Sequence, residues 1–296
     1  MPSDVYSNDG TLLHCEECGN PDGPTVLMTH CWAGTCAFWQ PVVEQLSPAL
    51  RVVRYDQRGH GQSQVPATRS GYSVEKLADD FCSVLQAHVD EGQKALVVGH
   101  SMGGITVMSA AARPEFKERV GGIVLTNTGC SQLLAQATAL PIPGPLGRWL
   151  KGKFITSPLL GNNTDSKVFQ FILKHLMMGK QVTDAQVQAC ARKLNGCTTE
   201  VRVNWGKALI HAELDDRVRQ IAVKTLVIAG SDDKLMPPWH ARHIGEVIPN
   251  QMCKVIEVPG QGHMGPIEGP DFLAEQINAM AREVFGELPQ GNAQPQ

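Results

Sequence analysis

Short runs of apolar residues alternate along much of the chain with longer stretches whose apolar positions recur every three or four residues. The short runs predict buried strands, and the periodic stretches predict amphipathic helices. A turn-rich segment over 19–24 indicates an N-terminal β-meander. Strands in regular alternation with helices predict an α/β fold, with a mostly parallel sheet covered on both faces. We predict strands over 11–17, 25–29, 50–55, 94–98, 120–126, 223–229 and 252–258, and helices over 74–90 and 102–112.

The alternation stops between residues 129 and 220, where large apolar residues occur without a strand pattern. We therefore expect a helical insertion over 129–220 in a core formed by 1–128 and 221–287. Most of its apolar side chains should pack onto that core, and a minority should line a pocket. Within the insertion, Pro141, Pro143 and Pro145 indicate a stiff entry loop, helices are predicted over 165–178 and 183–194, and Trp149, Phe154 and Phe171 are the predicted pocket residues.

Composition narrows the possible partners. A chain of 296 residues with 42% hydrophobic content can form one large domain or one domain with a sizeable insertion. Its net charge of −3 and the absence of a Lys/Arg run argue against a nucleic-acid or anionic membrane partner. We therefore expect a small ligand that is uncharged or weakly charged. The sequence does not indicate an oligomeric state.

The two ends of the chain and its cysteines suggest where the protein resides. No apolar window is long enough to cross a bilayer, and Met1-Pro2-Ser3-Asp4 does not resemble a signal peptide. Nine cysteines, an odd number, are spread along the chain, which favours free thiols in a reducing compartment. We expect a cytoplasmic protein, with a disordered polar tail over 288–296. The Cys15-Glu16-Glu17-Cys18 spacing lacks a second pair, so a structural role is favoured over redox or zinc chemistry.

The segment Gly99-His100-Ser101-Met102-Gly103 lies between a predicted strand and a predicted helix. In a GxSxG turn of this kind, glycines flank a serine whose backbone bends sharply, because side chains at those positions would collide with neighbouring backbone. The turn raises the serine hydroxyl above the sheet. The pentapeptide alone is weak evidence, because glycine is abundant in the chain. An acid, a base and donors for an oxyanion must accompany it.

Candidates for the acid and the base follow two later strands. The strand over 223–229 runs into Gly230-Ser231-Asp232-Asp233, and the strand over 252–258 runs into Pro259-Gly260-Gln261-Gly262-His263. Because the carboxyl ends of parallel strands meet at one edge of a sheet, both loops should lie near Ser101. The order Ser, Asp, His is the chain order of the α/β-hydrolase triad.

Three further motifs accompany the serine, aspartate and histidine. They are His30-Cys31-Trp32-Ala33-Gly34 after the strand over 25–29, Asp56-Gln57-Arg58-Gly59-His60-Gly61-Gln62-Ser63, and Gly262-His263 followed by Pro266, Glu268, Pro270 and Phe272. Over nearly its whole length the chain resembles the α/β-hydrolase fold superfamily, with the insertion at the position of that family's helical cap. The resemblance implies a cofactor-free enzyme of the serine esterase or lipase type.

The resemblance also assigns roles. It implies Ser101 as nucleophile, His263 as general base and acid, and Asp233 as the carboxylate that orients the histidine, because the family spacing from Gly230 selects Asp233 over Asp232. The backbone N–H groups of Trp32 and Met102 would hold the oxyanion. This chain departs from the family at Cys31, where glycine is usual, which adds a side chain at a tight approach of the backbone and can shift the shape of the loop that carries Trp32.

Other polar residues are interpreted as structural. His30, His60 and His100 are expected to make hydrogen bonds within their loops, and Asp56 and Arg58 to brace the loop around them. His240 and His243 are spaced three apart on a predicted helix, but no carboxylate at ligand spacing joins them, so no metal site is predicted. There is no GxGxxG or P-loop motif, and hence no indication of a nucleotide cofactor.

A serine at the turn favours acyl transfer, since dehalogenases and epoxide hydrolases of this fold use aspartate there. We expect hydrolysis of a lipophilic carboxylic ester through an acyl-enzyme. The same triad in similar proteins serves C–C bond hydrolysis, perhydrolysis of the cofactor-free haloperoxidase type, thioester cleavage and acyl transfer. Outside enzymes, a non-catalytic ligand receptor is the alternative.

Overall fold

A seven-stranded sheet forms the centre of the computed structural model, which describes residues 4–139, 142, 144–157 and 166–288, with only the backbone of Phe154 and Ile155. The strands are β1 (Val5–Tyr6), β2 (Leu12–Leu13), β3 (Cys15–Gly19), β4 (Thr25–Thr29), β5 (Arg51–Tyr55), β6 (Ala95–His100), β7 (Val120–Thr126), β8 (Lys224–Gly230) and β9 (Cys253–Val258). The large sheet has the order β3-β5-β4-β6-β7-β8-β9, and only β3 is antiparallel to its neighbour. The predicted mostly parallel α/β sheet is confirmed.

The strand order reverses between β4 and β6. The chain passes from β4 to β5 on one side and then returns to β6 on the other side. Connections leaving the carboxyl ends of two such strands diverge and leave a crevice between them. The loop after Thr29 and the turn after His100 therefore both open into this crevice.

The N-terminal β-meander was predicted wrongly. β3 pairs with β5 through Cys15 opposite Tyr55, and it is not adjacent to β4. The predicted strand over 11–17 is divided at His14, because Leu12–Leu13 forms a separate two-stranded ladder with Val5–Tyr6. Turn residues between two strands indicate a reversal of the chain, but they do not determine which strand becomes the partner.

Helices cover both faces of the sheet. They are α1 (Gln40–Val43), α2 (Val74–His88), α3 (Met102–Ala110), α4 (Pro114–Arg119), α5 (Leu133–Gln136), α6 (Gly144–Ile155), α7 (Lys167–Ile172), α8 (Asp184–Lys193), α9 (Thr199–Leu209), α10 (Asp215–Val218), α11 (Pro238–Val247), α12 (Gly265–Glu268) and α13 (Pro270–Phe285). One buried apolar cluster joins α2, α3 and α11 to one face of the sheet, and a second joins α1 and α13 to the other face. This two-sided burial explains why the central strands β4, β6 and β7 are buried along nearly their whole length.

The described residues between β7 and β8 form helices and loops, with no strand among them. Helix α7 continues into a π-helical turn, Leu173–Met177, within the predicted helix over 165–178, and α8 lies within the predicted helix over 183–194. The sequence analysis missed α6 and α9. In α6, Pro145 lies in the first helical turn, where a proline is tolerated because its missing N–H has no helical partner. The predicted stiff loop at Pro141 and Pro143 lies outside the described residues.

A third apolar cluster connects this helical segment to the core. Leu173, Val187 and Cys190 pack in it with Cys31 from the loop after β4 and Met264 from the loop after β9. The helices therefore lie over the edge of the sheet where the crevice opens.

At the C-terminal end, Leu288 is described and packs against the second cluster, so it does not belong to the predicted tail, whereas 289–296 lie outside the described residues. All nine cysteines are free thiols. None of the helices in the described ranges has the length and apolar character needed to span a membrane.

Candidate active site

Ser101 lies in a sharp turn between β6 and α3, with φ 54° and ψ −117°. A non-glycine residue adopts positive φ only when its surroundings enforce it. Both flanking glycines are required for close approach: a Cβ at Gly103 would lie 2.1 Å from the Thr29 carbonyl oxygen, and a Cβ at Gly99 would lie 2.7 Å from the carbonyl oxygen of Gly103. The hydroxyl of Thr128, in the loop after β7, donates a 2.8 Å hydrogen bond to the Ser101 carbonyl and holds the turn. The predicted strand-turn-helix context is therefore present.

Ser101, His263 and Asp233 meet at the carboxyl end of the sheet. The Ser101 hydroxyl lies 2.9 Å from His263 Nε2, and His263 Nδ1 lies 2.8 Å from Asp233 Oδ2. A carboxylate only accepts hydrogen bonds, so Nδ1 carries the proton and Nε2 is free to accept from the serine. All three side chains are buried, with Ser101 7% exposed. The rival Asp232 has its Oδ2 3.7 Å from Lys180 Nζ, and the aspartate bonded to His263 is Asp233.

The Asp233 carboxylate is fully engaged. Its Oδ1 accepts hydrogen bonds from the backbone N–H groups of Leu235 and Met236, at 2.9 and 2.8 Å. Its Oδ2, which accepts from His263, also accepts from the side-chain amide of Asn127 at 3.1 Å. The same amide donates to the Gly262 carbonyl at 2.9 Å, so Asn127 connects the aspartate loop to the histidine loop. Sequence reasoning missed Asn127, and its only signal was its position directly after β7.

Glu268 organises the loop that carries His263. Its carboxylate accepts hydrogen bonds from the backbone N–H groups of Gly179, Gly262 and Met264, at 2.8 to 2.9 Å. Burial raises the pKa of Glu268 above its ordinary value. Gly179 follows the π-helical turn, so one carboxylate fixes the histidine loop and the helical segment together. The sequence named Glu268 only as part of a motif.

Trp32 and Met102 line the same cavity as Ser101. Among the described residues, neither backbone N–H has a hydrogen-bond acceptor. Met102 is the first residue of α3, and the N–H groups of the first helical turn have no acceptor within the helix. Two unpaired donors beside a serine hydroxyl can stabilise a negative oxygen.

Buried histidines hold the loop that carries Trp32. His30 donates from Nδ1 to the Cys31 carbonyl at 2.7 Å and accepts at Nε2 from the Gln57 N–H at 2.9 Å. His60 accepts at Nε2 from the Ala33 N–H at 3.2 Å, and burial lowers the pKa of His60 to about 3. Both rings are therefore neutral, and the predicted structural roles of these histidines agree with the geometry.

His100 and the Asp56 segment also make internal contacts. His100 Nε2 donates to the His263 carbonyl at 2.8 Å, and burial lowers the pKa of His100 to about 3. Asp56 accepts from the N–H groups of Cys36 and Gln62, and Arg58 forms a buried ion pair with Asp80. These contacts brace the loops, as expected from the sequence.

Cys31 is buried beside the cavity, and burial raises its thiol pKa far above the ordinary value. It is therefore a protonated, packed thiol. The loop tolerates it because the Gly34 N–H still bonds to the Cys31 carbonyl at 3.0 Å and because Gly196 from the helical segment bonds to Ala33 at 2.8 Å.

The cavity at Ser101 has a volume of about 110 Å³. That is somewhat smaller than the engineered protein cavity of about 150 Å³ that binds benzene. Among the described residues around it, none is Asp, Glu, Lys or Arg. The apolar lining residues are Trp32, Met102, Ile105, Leu133, Leu134, Ala137, Met177, Leu209, Ile210, Leu235, Met236 and Met264.

The predicted pocket aromatics are not in this cavity. Trp149 is 58% exposed on α6 and Phe171 is 64% exposed on α7, and neither lines it. The side chain of Phe154 lies outside the described residues. Apolar residues on a helix of unknown orientation can face solvent as well as a cavity. Apart from Trp32 and Met102, the apolar lining consists of aliphatic and methionine side chains that the sequence analysis did not assign to the pocket.

Sequence spacing places no carboxylate beside His240 and His243, but the fold brings one to His243. His243 Nε2 lies 3.0 Å from Asp215 Oδ2, because α10 and α11 lie side by side. The thiol of Cys130 donates to Asp215 Oδ1 at 3.3 Å. These three side chains have donor atoms that could hold a metal ion, whereas His240 is not part of the group.

A family model described as serine aminopeptidase, S33, matches residues 20–269. The chain therefore belongs to this family of the α/β-hydrolase superfamily. Over 91% of its length it is 37% identical to the “Putative carbamate hydrolase RutD” of Variovorax paradoxus, of which it covers 96%. The esterase EaEST from Exiguobacterium antarcticum has a similar fold, with a TM-score of 0.78 and 20% identity over 95% of this chain and 100% of the esterase.

A shorter match concerns a larger protein. A stretch of 116 residues, 39% of this chain, is 38% identical to the “Probable oxidoreductase EphD” of Mycobacterium tuberculosis. The match spans 19% of that protein's length.

Proposed function

We propose that the protein is a serine hydrolase that cleaves neutral carboxylic esters with an apolar acyl group, through an acyl-enzyme on Ser101. The observation that carries this proposal is the hydrogen-bonded chain Ser101–His263–Asp233 at the floor of an apolar cavity. We assign Ser101 as nucleophile, His263 as general base and acid, and Asp233 as the orienting carboxylate.

In the first half-reaction, Ser101 Oγ attacks the ester carbonyl carbon while its proton passes to His263 Nε2. The carbonyl oxygen becomes an oxyanion and accepts hydrogen bonds from the N–H groups of Trp32 and Met102. When the tetrahedral intermediate collapses, the C–O bond to the alcohol breaks and His263 donates its proton to the leaving oxygen. The acyl group remains on Ser101.

In the second half-reaction, water attacks the acyl carbon and its proton passes to His263. Collapse of the second intermediate breaks the bond to Ser101 Oγ, which regains the proton from His263. Asp233 remains ionised throughout and stabilises the imidazolium that forms in each half-reaction. Its hydrogen bonds from Leu235, Met236 and Asn127 support that role.

The lining of the cavity supports an ester substrate over a peptide with a free amino terminus. An aminopeptidase must bind the ammonium group of its substrate, which calls for a carboxylate near the reacting bond. None of the described lining residues carries one. An apolar acyl group fits the aliphatic side chains and gains free energy from its own burial.

We further propose that residues 129–220 act as a cap on this cavity. Leu133, Leu134, Met177, Leu209 and Ile210 line it from that segment. A cap of this kind excludes bulk water and strengthens the hydrogen bonds to the oxyanion.

The test is the hydrolysis of p-nitrophenyl esters with straight acyl chains from acetate to octanoate. Each buried methylene should contribute about 0.8 kcal/mol, or about fourfold in kcat/KM, until the cavity is filled. We expect kcat/KM to rise from acetate to hexanoate. A preference for acetate over all longer esters would contradict the apolar acyl site.

A pair of variants locates that site. Leu209→Ala enlarges the cavity and should shift the maximum of kcat/KM to esters with longer acyl chains. Trp149→Ala removes an exposed ring outside the cavity and should leave the profile unchanged. If both variants shift the optimum equally, the assigned cavity is not the acyl site.

A further inference from the structure

Three chemically different metal ligands converge at a position that the proposed reaction does not use. Cys130 follows β7, Asp215 begins α10 and His243 lies within α11. One donor atom from each of these residues lies within 4.8 Å of the other two. Three separate segments of the fold therefore bring their ligand atoms to one point.

The spacing of these atoms suits a tetrahedral ion. Zinc binds sulfur at about 2.3 Å and imidazole nitrogen or carboxylate oxygen at about 2.0 to 2.2 Å, which at tetrahedral angles separates the ligand atoms by roughly 3.3 to 3.6 Å. The sulfur of Cys130 lies 3.3 Å from Asp215 Oδ1, and His243 Nε2 lies 3.2 Å from the same oxygen. Both separations are within a few tenths of an ångström of the tetrahedral values, and the Cys130 sulfur and the His243 nitrogen lie within 4.8 Å of each other.

The surroundings also favour binding. Cys130 is buried, whereas the side chains of Asp215 and His243 are 31% and 18% exposed, so an ion can enter from solvent and keep a water ligand. The His243 ring stacks on Trp239 at 4.8 Å between centroids, which fixes its orientation. The Leu214 N–H bonds to the Cys130 carbonyl at 2.8 Å and holds two of the three segments together.

We propose that Cys130, Asp215 and His243 form a zinc site that ties the loop after β7 to α10 and α11. Thiolate, imidazole and carboxylate together are a donor set that zinc prefers, and calcium and magnesium do not. Zinc binds the thiolate, so binding releases to solvent the proton that Cys130 now donates to Asp215, and an S–Zn bond replaces the S–H bond. The same loop carries Asn127 and Thr128, so the ion would stiffen the segment that contacts Asp233 and Ser101.

The test uses the full chain after dialysis against a chelator. Titration with zinc chloride is followed by calorimetry, and titration with cobalt(II) by absorption, since a bound thiolate produces a charge-transfer band with cobalt. We expect one ion per chain, a charge-transfer band, and a higher melting temperature with zinc. Cys130→Ser should abolish the band and the thermal shift. Cys253→Ser, which changes a thiol outside the cluster, should retain both.

His243→Gln provides a second route if Cys130→Ser does not fold. It removes a partly exposed ligand and should weaken zinc binding at least tenfold, with the melting temperature in chelator unchanged. Equal zinc affinity in the wild type and in His243→Gln would overturn the proposal. Absence of the charge-transfer band in the wild type would also overturn it. Neither result depends on the esterase reaction.

Discussion

The side-chain amide of Asn127 donates a 3.1 Å hydrogen bond to the Asp233 oxygen that also accepts from His263, across 106 residues of sequence. Asn127 adopts a positive φ of 49°, which aims its amide at both Asp233 and the Gly262 carbonyl. The position of the aspartate thus depends on the residue directly after β7, the strand beside the serine turn. Asn127 is a positioning residue in this account.

Asn127→Gly removes the amide and keeps the backbone conformation, because glycine tolerates positive φ. We expect kcat to fall about tenfold, equivalent to about 1.4 kcal/mol in the barrier, with KM nearly unchanged. Asn250→Gly is the matched control, since Asn250 is exposed and also has a positive φ of 59°. Steady-state kinetics with one ester measure both variants, and an unchanged kcat in Asn127→Gly would contradict the role.

Asp233→Asn tests the orienting carboxylate. The amide can donate to His263 Nδ1 and stabilise the wrong tautomer, so we expect kcat to fall about 10⁴-fold, as in serine proteases with this change. Asp232→Asn changes the neighbouring residue, which does not contact His263. Its kcat should stay within about twofold of the wild-type value, because most substitutions away from such contacts have small effects. If the two variants lose activity equally, the assignment of Asp233 is wrong.

Glu268→Gln tests the link between the histidine loop and the helical segment. A glutamine has one acceptor oxygen, so its NH₂ group must face a backbone N–H that the carboxylate now satisfies. We expect a loss of about 1 to 3 kcal/mol in the free energy of unfolding. Urea denaturation measures it, with the exposed Glu275→Gln as control. Equal stability of the two variants would contradict the structural role of Glu268.

We expect His240 to make the free energy of unfolding depend on pH. Its ring is buried, neither ring nitrogen has a partner among the described residues, and burial lowers the pKa of His240 from 6.5 to about 4. The folded protein therefore binds this proton more weakly than the unfolded chain. The stability that the neutral ring contributes is present above pH 6.5 and is lost as the pH falls towards 4.

His240→Leu removes that titration and an unpaired polar group. We expect the variant to have a larger free energy of unfolding than the wild type. The difference should increase by roughly 1 kcal/mol for each unit that the pH falls from 6 to 4. His211→Gln, which removes an exposed histidine, serves as the control. Urea denaturation across this pH range provides the measurement, and a difference independent of pH would exclude His240 as the cause.

The sequence predicted the parts of the site that depend on strand order. Ser101, Asp233 and His263 each follow a strand of the parallel sheet, and parallel strands end at one edge, so their meeting could be predicted without coordinates. Asn127 and Glu268 act through side-chain contacts across loops, which no local pattern encodes. The position of Asn127 directly after β7 was a signal that sequence reasoning did not use.

The helical segment was predicted less well for a physical reason. Periodicity shows that a helix has an apolar side, but it does not determine whether that side faces a cavity, the core or solvent. Trp149 and Phe171 were therefore assigned to the pocket although they are exposed. Likewise, the approach of Asp215 to His243 depends on how α10 and α11 pack, which their spacing along the chain does not encode.

The most direct test of the acyl-enzyme mechanism is covalent labelling of Ser101 by a fluorophosphonate, followed by intact-protein mass spectrometry. We predict that the folded wild type gains one probe per chain at residue 101, that Asp233→Asn reacts far more slowly, and that Ser101→Ala gains none. A folded wild type that remains unlabelled, or labelling that persists in Ser101→Ala, would contradict the acyl-enzyme mechanism.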